Sequence, residues 1–194
     1  IRKARELSPK GIIGVNIMVA IEQYDEMVKT CVEEKADIII SGAGLPLNLP
    51  KLVHGSPIKI APIVSSGKAA SIIIRNWLKK YSRMPDAVVV EGPEAGGHLG
   101  FHLKQLQEGK ESLEDIVLEV IKVVRSFENG NSIPIIAAGG IYTGYDIAKF
   151  LKLGASGVQM GTRFVATEEC DAHINFKNAY INVKKEDIGI IKSP

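Results

Sequence analysis

The sequence predicts an α/β fold built on a parallel sheet. Six short apolar runs, rich in Ile and Val, are mostly continuous, which is typical of strands covered on both faces. Amphipathic stretches separate them, and this alternation indicates parallel strands joined by right-handed crossovers. The six runs are residues 11–17, 37–41, 58–64, 87–92, 133–140 and 157–164.

The helices are predicted over residues 22–35, 68–81, 112–127 and 145–153. Ser112 and Asp115 stand where an N-cap and an acidic first turn belong, and Gly154 follows the last helix as a C-cap does. Most strand starts are one βα unit apart. The interval from residue 87 to residue 133 is longer, which indicates an inserted loop over residues 92–111.

The composition indicates a globular chain without nucleic-acid or membrane partners. Of its 194 residues 45% are hydrophobic and 24% are charged, which excludes a disordered chain. The formal net charge is +2, and no apolar run approaches the ~20 residues of a membrane helix. Cys31 and Cys170 form neither a disulfide framework nor a zinc motif. We expect a cytoplasmic protein.

Two architectures use repeated βα units, and glycine placement distinguishes them. A doubly wound sheet needs a G-x-G-x-x-G turn after its first strand, whereas Gly42 and Gly44 follow the second strand without a third glycine. A (β/α)8 barrel builds its phosphate site after its last two strands, where Gly140 and Gly161 stand. We therefore expect a truncated (β/α)8 barrel with about six of its eight βα units.

We expect residues 1–194 to form a single domain that is incomplete at its N-terminus. Six strands are visible where a closed barrel has eight, and an open sheet of six would leave two unpaired edges. About two N-terminal βα units are therefore expected to be missing. The chain stops at Pro194 without a closing helix, so we expect the C-terminus to be cut as well.

The segment from Glu91 to Gly100 is the first candidate site. It begins at the carboxyl end of the fourth predicted strand, the catalytic end of a barrel. Gly96 and its neighbouring glycines let a flat ligand approach the backbone closely. His98 is the side chain there that can give or take a proton near neutral pH. The alternative is a flexible turn with an exposed histidine.

The ends of the last two strands form the second candidate site. Gly139 and Gly140 follow one, and the run from Gln159 through Met160 and Gly161 to Thr162 ends the other. Backbone N–H groups freed by small residues form a cradle for phosphate. Tight turns without a ligand are the alternative. The amides of Asn16 and Gln159 either bond a ring edge or tie down a loop.

Together these residues resemble the nitronate monooxygenase family, formerly called 2-nitropropane dioxygenases, which are FMN-dependent (β/α)8 enzymes. The resemblance lies in residues 14–17, 91–100, 137–141 and 159–164. Its specific part is the combination of Glu-Ala-Gly-Gly-His-x-Gly with Gln-Met-Gly-Thr-Arg-Phe. It implies that FMN is the cofactor and that O2 and a nitronate or nitroalkane are the substrates. A homo-oligomer is possible.

The resemblance also assigns roles to residues. It implies that His98 is catalytic and takes the α-proton of a neutral nitroalkane, and that the products are a carbonyl compound and nitrite. It implies that Gly140, Gly161 and Thr162 hold the phosphate of FMN. The implied FMN-binding residues are Asn16, Glu91, Gly96, Gly139, Gly140, Gln159, Met160, Gly161 and Thr162.

Three alternatives remain open. The flavin- and NAD(P)H-dependent enoyl-acyl carrier protein reductase II is similar and shares the motif around His98, including glutamate at position 91. The inosine monophosphate dehydrogenase type of barrel is similar around Gly139, but neither Cys31 nor Cys170 is placed for its catalytic cysteine. A non-catalytic barrel that binds a phosphate ligand is the third alternative.

Overall fold

The computed structural model of the protein describes residues 1–109 and 111–191 and divides the chain into two compact units. The first unit is Ile1–Gln159 and contains the parallel sheet; the second begins at Met160. The strands are β1 (Gly14–Met18), β2 (Ile38–Gly42), β3 (Lys59–Val64), β4 (Val88–Glu91), β5 (Ile135–Ala138) and β6 (Gly157–Gln159). Each of the six predicted runs therefore overlaps a strand, and no strand extends more than one residue beyond its run.

The four predicted helices are confirmed to within two residues at each end. The helices are α1 (Arg2–Leu7), α2 (Tyr24–Glu33), α3 (Leu49–Leu52), α4 (Gly67–Tyr81), α5 (Leu103–Glu108), α6 (Leu113–Arg125), α7 (Gly144–Lys152), α8 (Thr162–Val165) and α9 (Ile174–Asn182). Among the residues described, none of these helices combines the length and the apolar character needed to cross a membrane.

The strand order confirms the barrel class over the doubly wound sheet. The strands are hydrogen-bonded in the sequential order β1-β2-β3-β4-β5-β6, and each pair is parallel. A doubly wound sheet reverses its order at a switch point, where its ligand binds. No reversal occurs within the described residues, so this sheet corresponds to six strands of a (β/α)8 barrel.

One face of the sheet is packed by helices. Ile39, Val88 and Ala137 are fully buried on it, and Ser41 Oγ is hydrogen-bonded to the Tyr24 hydroxyl of α2 over 2.9 Å. The residues of the opposite face alternate with these along each strand. On that face, at the end of β4, lies Glu91. The helix-packed face therefore supplies the core, and the opposite face remains available for a ligand.

Local capping explains where the main helices begin and end. Ser112 Oγ accepts a hydrogen bond from the Asp115 amide over 3.2 Å, so the predicted N-cap is confirmed. Thr143 and Asp146 form a capping box at α7, and the three hydrogen bonds that the Asp146 carboxylate accepts lower its pKa. Gly154 follows α7 with a φ of +101°, as the predicted glycine cap requires.

Two predictions of local structure were wrong. Residues 157–164 do not form one strand, because β6 ends at Gln159 and Thr162–Val165 is helical. The predicted loop over 92–111 contains helix α5, whose start is fixed by a 2.9 Å hydrogen bond from the His102 amide to Gln105 Oε1. Both segments are short, so local interactions outweigh the apolar pattern on which the predictions rested.

Trp77 connects helix α4 to the loop that follows β2. The side chain is fully buried, as its helical position predicts, and its Nε1 donates to the Pro46 carbonyl over 3.0 Å. A carbonyl that is buried without a partner is costly. Trp77 therefore fills the core and also provides the hydrogen-bond donor for the Pro46 carbonyl of this loop.

Replacing this side chain tests that role. Trp77→Phe leaves the Pro46 carbonyl unpaired and removes core volume, so we expect the free energy of unfolding to fall by about 2 kcal/mol or more in urea denaturation. The control is Tyr81→Phe in the same helix, which removes an exposed hydrogen bond of 3.2 Å from the Tyr81 hydroxyl to Asn48 Oδ1. This substitution should lower the free energy of unfolding by less than about 0.5 kcal/mol. Equal losses for the two variants would contradict this account of Trp77.

Candidate active site

Glu91 and His98 line one cavity in the first unit. The cavity has a volume of about 390 Å³ and lies at the carboxyl ends of the strands. Its remaining wall comes from the segment after β2, the end of β3 with the residues that follow it, and the start of α4; among these residues are Ala43, Gly44, Ile63, Ser65 and Ala69. A volume of this size is typical of small-molecule sites. The structure thus brings together two of the residues predicted from sequence.

Glu91 is the acid of this cavity. Its side chain is half-buried at the end of β4, and burial raises the pKa of its carboxyl above the ordinary value. Within the described residues the carboxylate has no hydrogen-bond or ion-pair partner. A carboxyl with a raised pKa can remain protonated closer to neutral pH and donate a hydrogen bond to a ligand.

His98 is the base candidate of the same cavity. It is exposed and follows two exposed glycines, of which Gly97 has a φ of +91°. Only glycine adopts that conformation readily, so Gly97 sets the direction of the backbone that leads to His98. In the part of the chain that the structure describes, no group of three or more His, Cys, Asp or Glu side chains could hold a metal ion.

The turn after β5 lies directly beside the segment after β4. Gly139 and Gly140 have φ angles of +98° and +68°. A Cβ at position 139 would lie 3.0 Å from the Ala95 amide nitrogen, and one at position 140 would overlap the carboxylate of Glu94. The two glycines therefore permit a close approach of the two turns. The carboxylate of Glu94 therefore lies against the turn at which the sequence predicts phosphate binding.

The structure places three further predicted residues outside the lining of this cavity. By strand register Asn16 in β1 and Gln159 in β6 share the face of Glu91, and they lie on the first and last strands of the order. Gly96 is exposed, and a Cβ there would meet no atom within 4 Å. These positions are compatible with a ligand larger than the cavity itself.

The last three predicted residues belong to the second unit. Met160 opens that unit, Gly161 is the N-cap residue of α8, and Thr162 is the first residue of that helix. Their binding of FMN stays a prediction.

Sequence reasoning missed the residues that line the cavity from the neighbouring strands. Ala43 and Gly44 form a turn in which Ala43 has a φ of +52° and Gly44 a φ of +130°. The triplet from Gly42 to Gly44 lacks the third glycine of the dinucleotide pattern, so that pattern does not predict a site there. Its position at the carboxyl end of β2 could have indicated a site residue, by the same reasoning that singled out Glu91.

The fold defines a protein of the (β/α)8 barrel class, and the cavity is a candidate site at the carboxyl ends of the strands. The family model described as nitronate monooxygenase matches residues 2–194. The chain belongs to the nitronate monooxygenase family. The resemblance inferred from the motifs around His98 and Gly161 is confirmed.

Relatives and solved structures agree with this placement. A probable nitronate monooxygenase of Staphylococcus aureus strain Newman is 39% identical over 112 residues, which are 56% of this chain and 29% of that protein. FabK from Thermotoga maritima has a TM-score of 0.76 at 33% identity, over 94% of this chain and 51% of its own. This agrees with the predicted relation to enoyl-acyl carrier protein reductase II.

A nitroalkane oxidase from Streptomyces ansochromogenes has a TM-score of 0.72 at 22% identity, over 92% of this chain and 57% of its own, which shows a shared fold. The chain therefore spans about half the length of these solved structures, and less than a third of the curated relative.

The raised pKa of Glu91 predicts how stability depends on pH. When the pKa of a carboxyl is higher in the folded state than in the unfolded state, ionisation of that carboxyl lowers the free energy of unfolding. The loss is complete at high pH and disappears below the pKa of the unfolded state, about 4.3. Glu91→Gln removes the ionisation. We expect a higher melting temperature than that of the wild type at pH 8 and a difference that closes as the pH falls below about 4.3.

The measurement is calorimetry of both proteins from pH 4 to pH 8. Glu128→Gln, at an exposed position, sets the baseline for removing one carboxylate. A melting-temperature difference that stays constant over the whole pH range would contradict the burial of Glu91.

Proposed function

We propose that the protein is an FMN-dependent oxidoreductase that oxidises alkyl nitronates and nitroalkanes with O2 to carbonyl compounds and nitrite. The observation that carries the proposal is the shared cavity of Glu91 and His98 at the strand ends of a nitronate monooxygenase family member. An acid and an imidazole next to a glycine turn are suited to proton transfer beside a phosphate-bearing cofactor.

Two features of the first unit support a flavin nucleotide as the cofactor. The cavity has apolar walls such as Ile63 and Val64 together with the polar groups of Glu91 and His98, which suits a flat heteroaromatic ring with polar edges. The left-handed turn at Gly139 and Gly140 carries no side chain, so a phosphate can approach its backbone once the Glu94 carboxylate moves aside. When bound, FMN supplies the electron acceptor for the reaction.

His98 is the proposed general base. A neutral nitroalkane carries an acidic proton on the carbon beside its nitro group, and a neutral imidazole nitrogen can accept it. A nitronate has already lost that proton and does not need the base. Glu91, when protonated, is a hydrogen-bond donor for the ring edge of the cofactor. The cavity walls hold the substrate beside these two groups.

The role of His98 predicts a difference between two substrates. His98→Ala should lower kcat/KM for a neutral nitroalkane by at least about 100-fold, the typical contribution of a general base. Turnover of the corresponding anionic nitronate should change far less. Oxygen consumption and nitrite release by the full protein with FMN measure both activities.

The matched control is His102→Ala, because His102 is another exposed histidine close to His98 in the chain. It should leave both activities near the wild-type values. Equal losses of nitroalkane and nitronate turnover in His98→Ala would show that the imidazole is not the base. No oxygen consumption with any nitronate would overturn the proposed function.

The carboxylate at Gly140 predicts an effect on cofactor affinity. Glu94 is exposed and lies against the turn at which we propose the phosphate of FMN to bind, so its negative charge should oppose binding. Glu94→Gln keeps the size and removes the charge, so the Kd for FMN should fall by about three- to tenfold at low salt. The difference should shrink as the ionic strength rises.

Flavin fluorescence quenching measures that Kd. Glu128→Gln serves as the control for the loss of one negative charge. An unchanged or higher Kd in Glu94→Gln would contradict phosphate binding at this turn.

Enoyl-acyl carrier protein reduction is the second candidate function. The specific observation in its favour is that FabK is more similar in sequence than the nitroalkane oxidase, at 33% against 22% identity. Anaerobic incubation of the full protein with NADH, followed by a crotonyl thioester, tests it. Reduction of the flavin by NADH and consumption of the thioester would favour this function. Reduction of the flavin by propionate 3-nitronate alone would favour nitronate oxidation.

A further inference from the structure

We propose that Ser65 is a positioning residue whose hydroxyl holds the loop carrying His98 at the cavity. We define this loop as residues 96–101. The proposal rests on the proposed role of His98 as the base. Its structural part, the attachment of the loop, can be tested separately.

The attachment is a single hydrogen bond between two strand-end segments. Ser65 follows β3, and its Oγ donates to the Gly100 carbonyl over 3.0 Å. Ser65, His98 and Gly100 all line the same cavity. The hydrogen bond therefore spans the segments that contribute the two sides of the candidate site.

The shape of the contact explains the glycine at position 100. A Cβ built there would overlap Ser65 Oγ and lie 3.0 Å from Ser65 Cβ. Real Cβ atoms do not approach other heavy atoms so closely, so a larger residue at position 100 would push the two segments apart. The sequence thus combines a hydroxyl donor on one segment with the space for it on the other.

Apart from the half-buried side chains of Leu99 and Phe101, little else among the described residues holds the loop. Gly96 and Gly97 have open space around the positions of a Cβ, and His98 is exposed. Among the described residues, the bond from Ser65 is the only hydrogen bond that residues 96–101 make with the rest of the chain. Gly100 is two residues from His98. Fixing the Gly100 carbonyl therefore keeps the Cα of His98 within about 7 Å of a fixed Gly100 Cα.

Removing the Ser65 hydroxyl should change the fraction of molecules in which the loop is released. The hydrogen bond from Ser65 is exposed, so it belongs at the low end of the range for neutral intramolecular hydrogen bonds and should shift the equilibrium by about two- to threefold. Loss of the Ser65 hydroxyl should therefore raise the population of the released loop by about that factor. Catalysis that needs His98 should fall more than the turnover of an anionic nitronate.

Limited proteolysis of the full protein tests the attachment. Chymotrypsin can cleave after Leu99 and Phe101, which are both half-buried, so cleavage there requires release of the loop. Ser65→Ala should raise the rate of cleavage at these two bonds by about two- to threefold, and Ser65→Thr, which retains a hydroxyl, should remain near the wild-type rate. Mass spectrometry assigns the cleaved bonds.

The matched control is Ser126→Ala. Its hydroxyl also donates to a backbone carbonyl, that of Val123, over 2.7 Å at an exposed site away from this cavity. The control should leave cleavage at residues 99 and 101 unchanged. Melting temperatures of all three variants identify any general loss of folding. Wild-type cleavage rates in Ser65→Ala would overturn the proposal.

Steady-state kinetics separate the proposal from the function on which it rests. In Ser65→Ala, kcat for a neutral nitroalkane should fall more than kcat for the corresponding nitronate, and Ser65→Thr should restore the wild-type ratio of the two. Faster cleavage with no nitroalkane turnover in the wild type would support the attachment and overturn the proposed function. Full nitroalkane turnover in Ser65→Ala would overturn the positioning role.

Discussion

The candidate site depends on close contacts between strand-end segments that only glycine permits. After β4, Gly92 is buried against Leu113 of α6, where a Cβ would lie 2.9 Å from the leucine Cβ. Gly139 and Gly100 make similarly close contacts with Ala95 and Ser65. Because these contacts tie the segment after β4 to both neighbouring turns, Glu91 and His98 face one cavity rather than separate parts of the surface.

The two faces of the sheet have different roles: one packs against helices in the core, and the other contains candidate site residues. The helix-packed face contains fully buried aliphatic side chains and one satisfied polar side chain, Ser41, whose Oγ donates to the Ile17 carbonyl over 3.0 Å. On the opposite face Asn16, Glu91 and Gln159 replace apolar residues near the strand ends. A half-buried carboxyl at Glu91 that has no partner among the described residues is unfavourable for stability, and this cost is typical of a residue retained for its chemistry.

Much of this could be predicted from the sequence, because the informative patterns are local. Continuous apolar runs identified six strands, and residues such as Ser112 identified helix ends through bonds within one turn. The position of Glu91 and His98 after β4 followed from the barrel architecture. The contact between Glu94 and Gly140 and the bond from Ser65 to Gly100 could not be predicted, because they join segments 46 and 35 residues apart in sequence. The helix at Thr162 was missed because an apolar pattern of four residues suits a strand equally well.

The most direct test is a crystal structure of the full protein with FMN. The account predicts the isoalloxazine ring at the carboxyl ends of the strands, in contact with Glu91 and within reach of His98, with the phosphate beside Gly140 and the carboxylate of Glu94 displaced from that turn. A flavin bound at the amino ends of the strands, or one that contacts neither Glu91 nor His98, would contradict it.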